Sequence, residues 1–177
     1  NFDDAQTGVK KIFSDPAVRE AMNERGCFFS SANSINWGRV LPQIAYYVSA
    51  YCDLVASGQL ASGQTVNVCV PTGNFGNILA AYYAKMMGVP FGKLISASNA
   101  NNVLTDFIRT GVYDRNRPFY CTSSPSMDIL ISSNLERLLY LLTGSDEIVR
   151  GYMRQLSETG RYEVSADVLA QIQAHFD

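Results

Sequence analysis

What this sequence has little of narrows its function first. Its 177 residues carry 14 Lys+Arg against 16 Asp+Glu, a formal net charge of -2. Without a basic excess, neither a nucleic-acid groove nor a polybasic membrane-surface segment is expected. Charged residues make up only 17%, below the usual share of about a quarter. Such a deficit points to surface covered by something else, a further domain or a partner subunit. No apolar run approaches the roughly 18 residues that a membrane span requires, and the first residues show no cationic-then-apolar leader pattern. The chain has one histidine, His175, and four widely spaced cysteines, Cys27, Cys52, Cys69 and Cys121. This spacing fits no zinc site and no disulfide framework, so four reduced thiols in a cytoplasmic setting are expected.

What is present has a repeating order. Asp3 or Asp4 offers a cap for helical spacing over residues 5–13, and Ser14-Asp15-Pro16 a cap with a first-turn proline for residues 17–24. Residues 27–31 read as a short strand. Leu41, Ile44, Ala45, Val48, Tyr51, Cys52 and Val55 recur at helical spacing over residues 40–55. Thr65–Val70 alternates and is rich in β-branched residues, which predicts a strand. A helix follows over residues 78–87, then a strand over 93–97 and a helix over 102–110. Residues 111–128 lack periodicity, and helices are expected over 129–142, 146–158 and 166–176. Strand–loop–helix repetition with near-continuous apolar strands predicts an α/β fold, a three-layer αβα arrangement around a mostly parallel sheet. Ligands in such folds sit beyond the carboxyl ends of the strands.

The most informative loop is Pro71-Thr72-Gly73-Asn74-Phe75-Gly76-Asn77, between a strand and a helix. Two glycines three apart let a ligand approach the backbone, and the helix start presents free N–H groups, a combination that cradles phosphate. The alternative is a tight turn that needs φ > 0 at Gly73 and Gly76. The loop lacks the Gly-Lys-Ser/Thr ending of a Walker loop and the third glycine of a dinucleotide fingerprint. A second polar cluster, Ser31, Asn33, Ser34, Asn36 and Arg39, precedes the long helix and is expected on the same sheet edge. Arg39 offers a planar fork suited to phosphate or carboxylate. The alternative there is capping by Ser34 or Asn36, with Arg39 on a solvated face. Two anion sites on one edge suit a phosphorylated cofactor beside a phosphorylated substrate.

Several blocks resemble threonine synthase, in its longer bacterial and fungal branch. They are Asn1–Gln6, Ser31–Asn36, Pro71–Asn77, Thr105-Asp106-Phe107 with Thr110-Gly111, Tyr113–Arg117, Ser124–Ile129 and Ser132–Arg137. The resemblance implies fold type II of the pyridoxal 5'-phosphate enzymes. It implies conversion of O-phosphohomoserine and water to L-threonine and phosphate. It assigns the cofactor phosphate to Gly73, Asn74, Phe75, Gly76 and Asn77, and the substrate phosphate to Asn33, Ser34 and Arg39. For Ser124–Ile129 it gives no role; capping of the next helix is the expectation, and a direct ligand contact the alternative.

The family's Schiff-base lysine lies upstream of everything here, and Lys10, Lys11, Lys85 and Lys93 occupy no similar context. The residue that meets the pyridine nitrogen is expected downstream. Residues 1–177 therefore read as the central part of the cofactor-binding catalytic domain of a longer enzyme, inactive alone and prone to self-association through uncovered surface. Two alternatives stand beside this reading: a threonine-synthase-like phospho-lyase releasing a keto acid, and a phosphate- or nucleotide-binding module without catalysis.

Overall fold

The structure is a computed structural model that describes residues 8–9, 11–30 and 32–177. Ser31 and the expected cap at Asp3 or Asp4 lie outside the described residues. The chain divides into two compact units, residues 1–32 and 33–177.

In the first unit, residues 8–9 and 11–14 are helical, and α1 spans Pro16–Glu24. The Asp15 carboxylate caps α1 by accepting from the Ala17 N–H at 2.9 Å, and Pro16 opens the helix where no N–H is needed. The Phe13 and Phe29 rings stack at 4.9 Å. The strand expected near Cys27 does not form: residues 27–30 have no regular structure and Phe28 is 81% exposed. Among the described residues no second strand lies beside them, and an unpaired strand gains no ladder hydrogen bonds.

In the second unit, α2 spans Trp37–Ala56, β1 Val66–Pro71, α3 Gly76–Met86 and β2 Phe91–Ala97. β1 and β2 pair in parallel, Val68 opposite Leu94 and Val70 opposite Ser96. The Asp177 N–H donates to Leu94 O at 3.0 Å and its carbonyl accepts from the Ser96 N–H at 2.8 Å. The last two residues thus flank β2 on its other side. This is the α/β, parallel-sheet fold expected from the sequence.

α3 is the centre of packing. Ile78, Leu79, Ala80, Ala81 and Ala84 are fully buried. Its alanines let α2 approach closely, where Val40, Ile44 and Tyr47 are buried. Burial of this kind is worth about 25 cal/mol per Å² of apolar surface. α4 (Val103–Thr110) buries Val103, Leu104, Phe107 and Ile108 on one stripe.

The aperiodic stretch conceals β3 (Val112–Asp114), which pairs antiparallel with β4 (Arg161–Glu163). Tyr113 and Tyr162 face each other there, rings 5.2 Å apart and 5° from parallel. Three-residue strands are too short for alternation to reveal them. α5 spans Leu135–Thr143, α6 Asp146–Thr159 and α7 Ala166–His175. Ser145 and Ser165 cap the last two, each hydroxyl accepting from the N–H three residues on. α5 starts six residues later than the apolar pattern predicts, because Asn134 takes a left-handed conformation (φ 87°) that no helix can include.

Candidate functional site

Thr72 extends β1 by one rung: its N–H donates to Ala97 O at 2.9 Å and its hydroxyl to Val70 O at 2.7 Å. The chain then turns into α3 through Phe75, at φ 62° and ψ -7°. A left-handed backbone costs a non-glycine residue about 1–2 kcal/mol. The Phe75 ring, 0% exposed and 5.6 Å from that of Phe176, offsets this by roughly 1.5–3 kcal/mol of burial.

Neither Gly73 nor Gly76 has positive φ; Phe75 carries the turn instead. The tight-turn explanation of the glycines therefore fails. A Cβ on Gly76 would stand 3.5 Å from Asn134 Nδ2 and 3.8 Å from Ser34 O, and one on Gly73 3.4 Å from Ser126 O. These are ordinary van der Waals distances. Neither conformation nor internal packing demands glycine, which is compatible with close approach of another molecule to the backbone.

The amides point the same way. The Leu79 N–H is bonded to Phe75 O at 3.0 Å, and the Ile78 N–H to the Asn77 Oδ1 at 2.8 Å. Among the described residues no acceptor meets the N–H of Asn74, Phe75, Gly76 or Asn77. Asn77 Nδ2 donates to Pro71 O at 3.0 Å, so both ends of that side chain serve the loop itself. What the loop leaves unbonded is a row of main-chain donors at the positive end of an 11-residue helix.

A segment entering α5 holds this loop from behind. Ser132 Oγ donates to Gly73 O at 2.8 Å, and Asn134 Nδ2 donates to Asn74 O at 3.0 Å and to Ser34 O at 2.9 Å. Ser133 and Ser34 hydroxyls lie 3.3 Å apart. Arg137 donates to Ile35 O at 2.5 Å, its guanidinium 5.6 Å from the Trp37 ring centroid. Asn134 is 0% exposed, and its Oδ1 has no partner among the described residues.

These bonds bring the two polar clusters together, although the strand expected before the second is absent. Asn33 Oδ1 accepts from the Ile35 N–H at 3.1 Å, and Asn36, not Ser34, caps α2 through the Gly38 N–H at 2.8 Å. Arg39 is exposed in the first turn of α2. Val40, next to it, lies 3.9 Å from the position of a Gly76 Cβ.

Beyond β2 a third loop is fastened by Asp128. Its Oδ1 accepts from Asn99 Nδ2 at 2.7 Å, Asn101 Nδ2 at 3.1 Å and Thr122 Oγ1 at 2.7 Å, and its Oδ2 from the Thr122 N–H at 2.8 Å. The Thr122 amide, joined by these side-chain donors, holds the carboxyl below its ordinary value against the opposing effect of burial. The expectation that Ser124–Ile129 caps the next helix is thus replaced: Asp128 staples residues 99–101 to 120–124.

No protein-family model matches the chain. Threonine synthase-like 1 of Macaca fascicularis is 51% identical over 99% of the chain and 24% of its own length. Threonine synthase of Eremothecium gossypii is 42% identical over the whole chain and 35% of its own length. A solved structure of PLP-bound threonine synthase from Brucella melitensis superposes over 100% of the chain and 36% of its own, with a TM-score of 0.84 at 43% identity. The chain belongs to the threonine synthase family. It spans about a quarter to a third of the length of the curated relatives.

Within this family's fold, Lys85 donates to Gly92 O at 2.5 Å, and Lys93 to Gln173 O. Gly92 and Lys93 begin β2, whereas the Gly73–Asn77 loop follows the end of parallel β1, so both amines lie toward the opposite sheet edge. The sequence assigns no role to Ser132, Asn134 or Tyr113, and to Asp128 only the expected part in a cap. An Asn before an apolar run signals a helix start, but partners 60 and 100 residues away leave no local trace.

Proposed function

We propose that this chain carries the two phosphate sites of a threonine synthase, which converts O-phosphohomoserine and water to L-threonine and phosphate with pyridoxal 5'-phosphate. The observation that carries this reading is the row of unmet amides over Asn74–Asn77, on a loop whose glycines are required by neither conformation nor packing. Main-chain N–H groups of Gly73, Asn74, Phe75, Gly76 and Asn77 would hold the cofactor phosphate without adding charge. Bound there, pyridoxal phosphate supplies an electron sink for carbanions. Asn33, Ser34 and Arg39 would bind the substrate phosphate and stabilise it as it leaves; one such donor is worth on the order of 3 kcal/mol, or about a hundredfold in rate.

The lysine that anchors the cofactor belongs to the rest of the polypeptide, and the 177 residues are inactive by themselves.

Incubating the complete polypeptide with pyridoxal phosphate and O-phosphohomoserine tests the assignment. Threonine and phosphate in equal amounts support it. Release of 2-oxobutyrate would favour a phospho-lyase. Absence of any phosphate release would contradict both.

A further inference from the structure

We infer that Asn134 is a positioning residue that couples the two phosphate loops, so that an anion held in one strengthens binding in the other. The inference rests on the reading of Gly73–Asn77 as a phosphate cradle. It follows from the geometry of the peptide unit, in which a planar trans bond points its C=O and its N–H in opposite directions. Fixing a carbonyl therefore aims the amide that shares its plane.

Asn134 Nδ2 fixes Asn74 O. The N–H of that peptide is the Phe75 amide, one of the four that meet no acceptor among the described residues. Ser132 Oγ fixes Gly73 O, whose peptide carries the unmet Asn74 amide. Two donors from one short segment thus direct two successive N–H groups away from themselves and into the cradle. Asn134 makes a second bond of the same kind to Ser34 O at 2.9 Å. The N–H of that peptide belongs to Ile35 and is held by Asn33 Oδ1 at 3.1 Å. One side-chain amide therefore sets a peptide plane in each loop.

Asn134 is a stiff link between the two loops. Asn134 is 0% exposed, and both protons of its amide are committed to carbonyls, which fixes which way round the amide sits. Its left-handed backbone, φ 87°, is tolerated by asparagine and glycine and by few other residues. A shift of either loop strains a bond to the same nitrogen. Ordering one loop by binding an anion lowers the cost of ordering the other, which is positive coupling.

The test uses the complete polypeptide and pyridoxine 5'-phosphate, which carries the phosphate but has no aldehyde. Binding is then read without turnover and without the anchoring lysine. Its Kd is measured by calorimetry with and without saturating O-phosphohomoserine. In the natural sequence O-phosphohomoserine is expected to tighten it by about 5- to 150-fold. Asn134→Gly keeps the backbone conformation and Asn134→Asp keeps the shape; each removes both donors, and each brings the ratio to about 1. Ile172→Val, a core truncation that removes none of these hydrogen bonds, lowers stability and retains the full ratio.

A natural sequence that binds both ligands without coupling, or an Asn134→Gly variant that keeps the ratio, would overturn the inference and leave the cradle reading intact. A natural sequence that binds no pyridoxine phosphate would overturn the cradle and the inference together.

Discussion

The Tyr113 hydroxyl accepts from the Ser132 N–H at 2.8 Å and donates to Leu130 O at 3.1 Å. Burial pushes this hydroxyl up to about 12, so it stays protonated and can do both at neutral pH. It fixes the segment from which Ser132 and Asn134 reach the cradle, and Tyr113 is itself held by the Phe107 and Tyr162 rings.

Tyr113→Phe keeps the ring stack and strands the Ser132 amide. A stability loss of roughly 1–3 kcal/mol is expected, measured by urea denaturation, together with weaker binding of pyridoxine 5'-phosphate. Unchanged stability would show that water replaces the hydroxyl without consequence.

Gly76→Ala separates ligand approach from folding. The added methyl has room, 3.5 Å from its nearest neighbour, and at a backbone conformation alanine accepts it restricts the unfolded chain more than glycine does. Thermal denaturation should therefore show a protein no less stable than the original. Binding of pyridoxine 5'-phosphate should weaken at least about tenfold, because the methyl occupies space beside the donors. Equal affinity would remove the Gly76 amide from the site.

Arg39→Ala in the complete polypeptide should lower turnover of O-phosphohomoserine by more than about tenfold. Affinity for pyridoxine 5'-phosphate should stay within about twofold. An unchanged rate would dismiss Arg39 from the reaction. A parallel loss of cofactor affinity would instead make it a structural support of α2.

Asp128 predicts a pH dependence. Its folded-state pKa lies below the ordinary carboxylate value near 4. The stabilisation it contributes is therefore complete above that value and is lost as pH falls through the lower folded one. Asp128→Asn should lower the Tm at pH 6, and the gap from the original should narrow as pH drops below about 4. A gap independent of pH would assign the effect to shape and not to charge.

Much of this was legible because it is periodic. The alternation of Thr65–Val70, the helical spacing of Leu41, Ile44, Val48 and Tyr51, and the Asp15-Pro16 cap each declare their element within a few residues, although the residues that α2 buries are Val40, Ile44 and Tyr47, and Leu41 is 51% exposed. The Gly73–Asn77 loop was legible as the connection from a strand to a helix, but what carries its turn was not. Only coordinates show that Phe75 takes the left-handed turn, since its cost is offset by a contact with Phe176 a hundred residues away. Asn134 and Asp128 were opaque for a similar reason. Each acts on several distant carbonyls or amides, and no local pattern records such bonds. The strand pair β3–β4 escaped because it is short and its pairing partner lies nearly fifty residues on.

The central claim is that main-chain amides of the β1–α3 loop grip a phosphate ester. Amide 1H–15N spectra of the complete polypeptide, titrated with pyridoxine 5'-phosphate and separately with pyridoxine, test it most directly. The account predicts that the phosphorylated compound alone moves the Asn74, Phe75, Gly76 and Asn77 resonances furthest downfield in proton. Shifts centred elsewhere, or equal responses to both compounds, would contradict it.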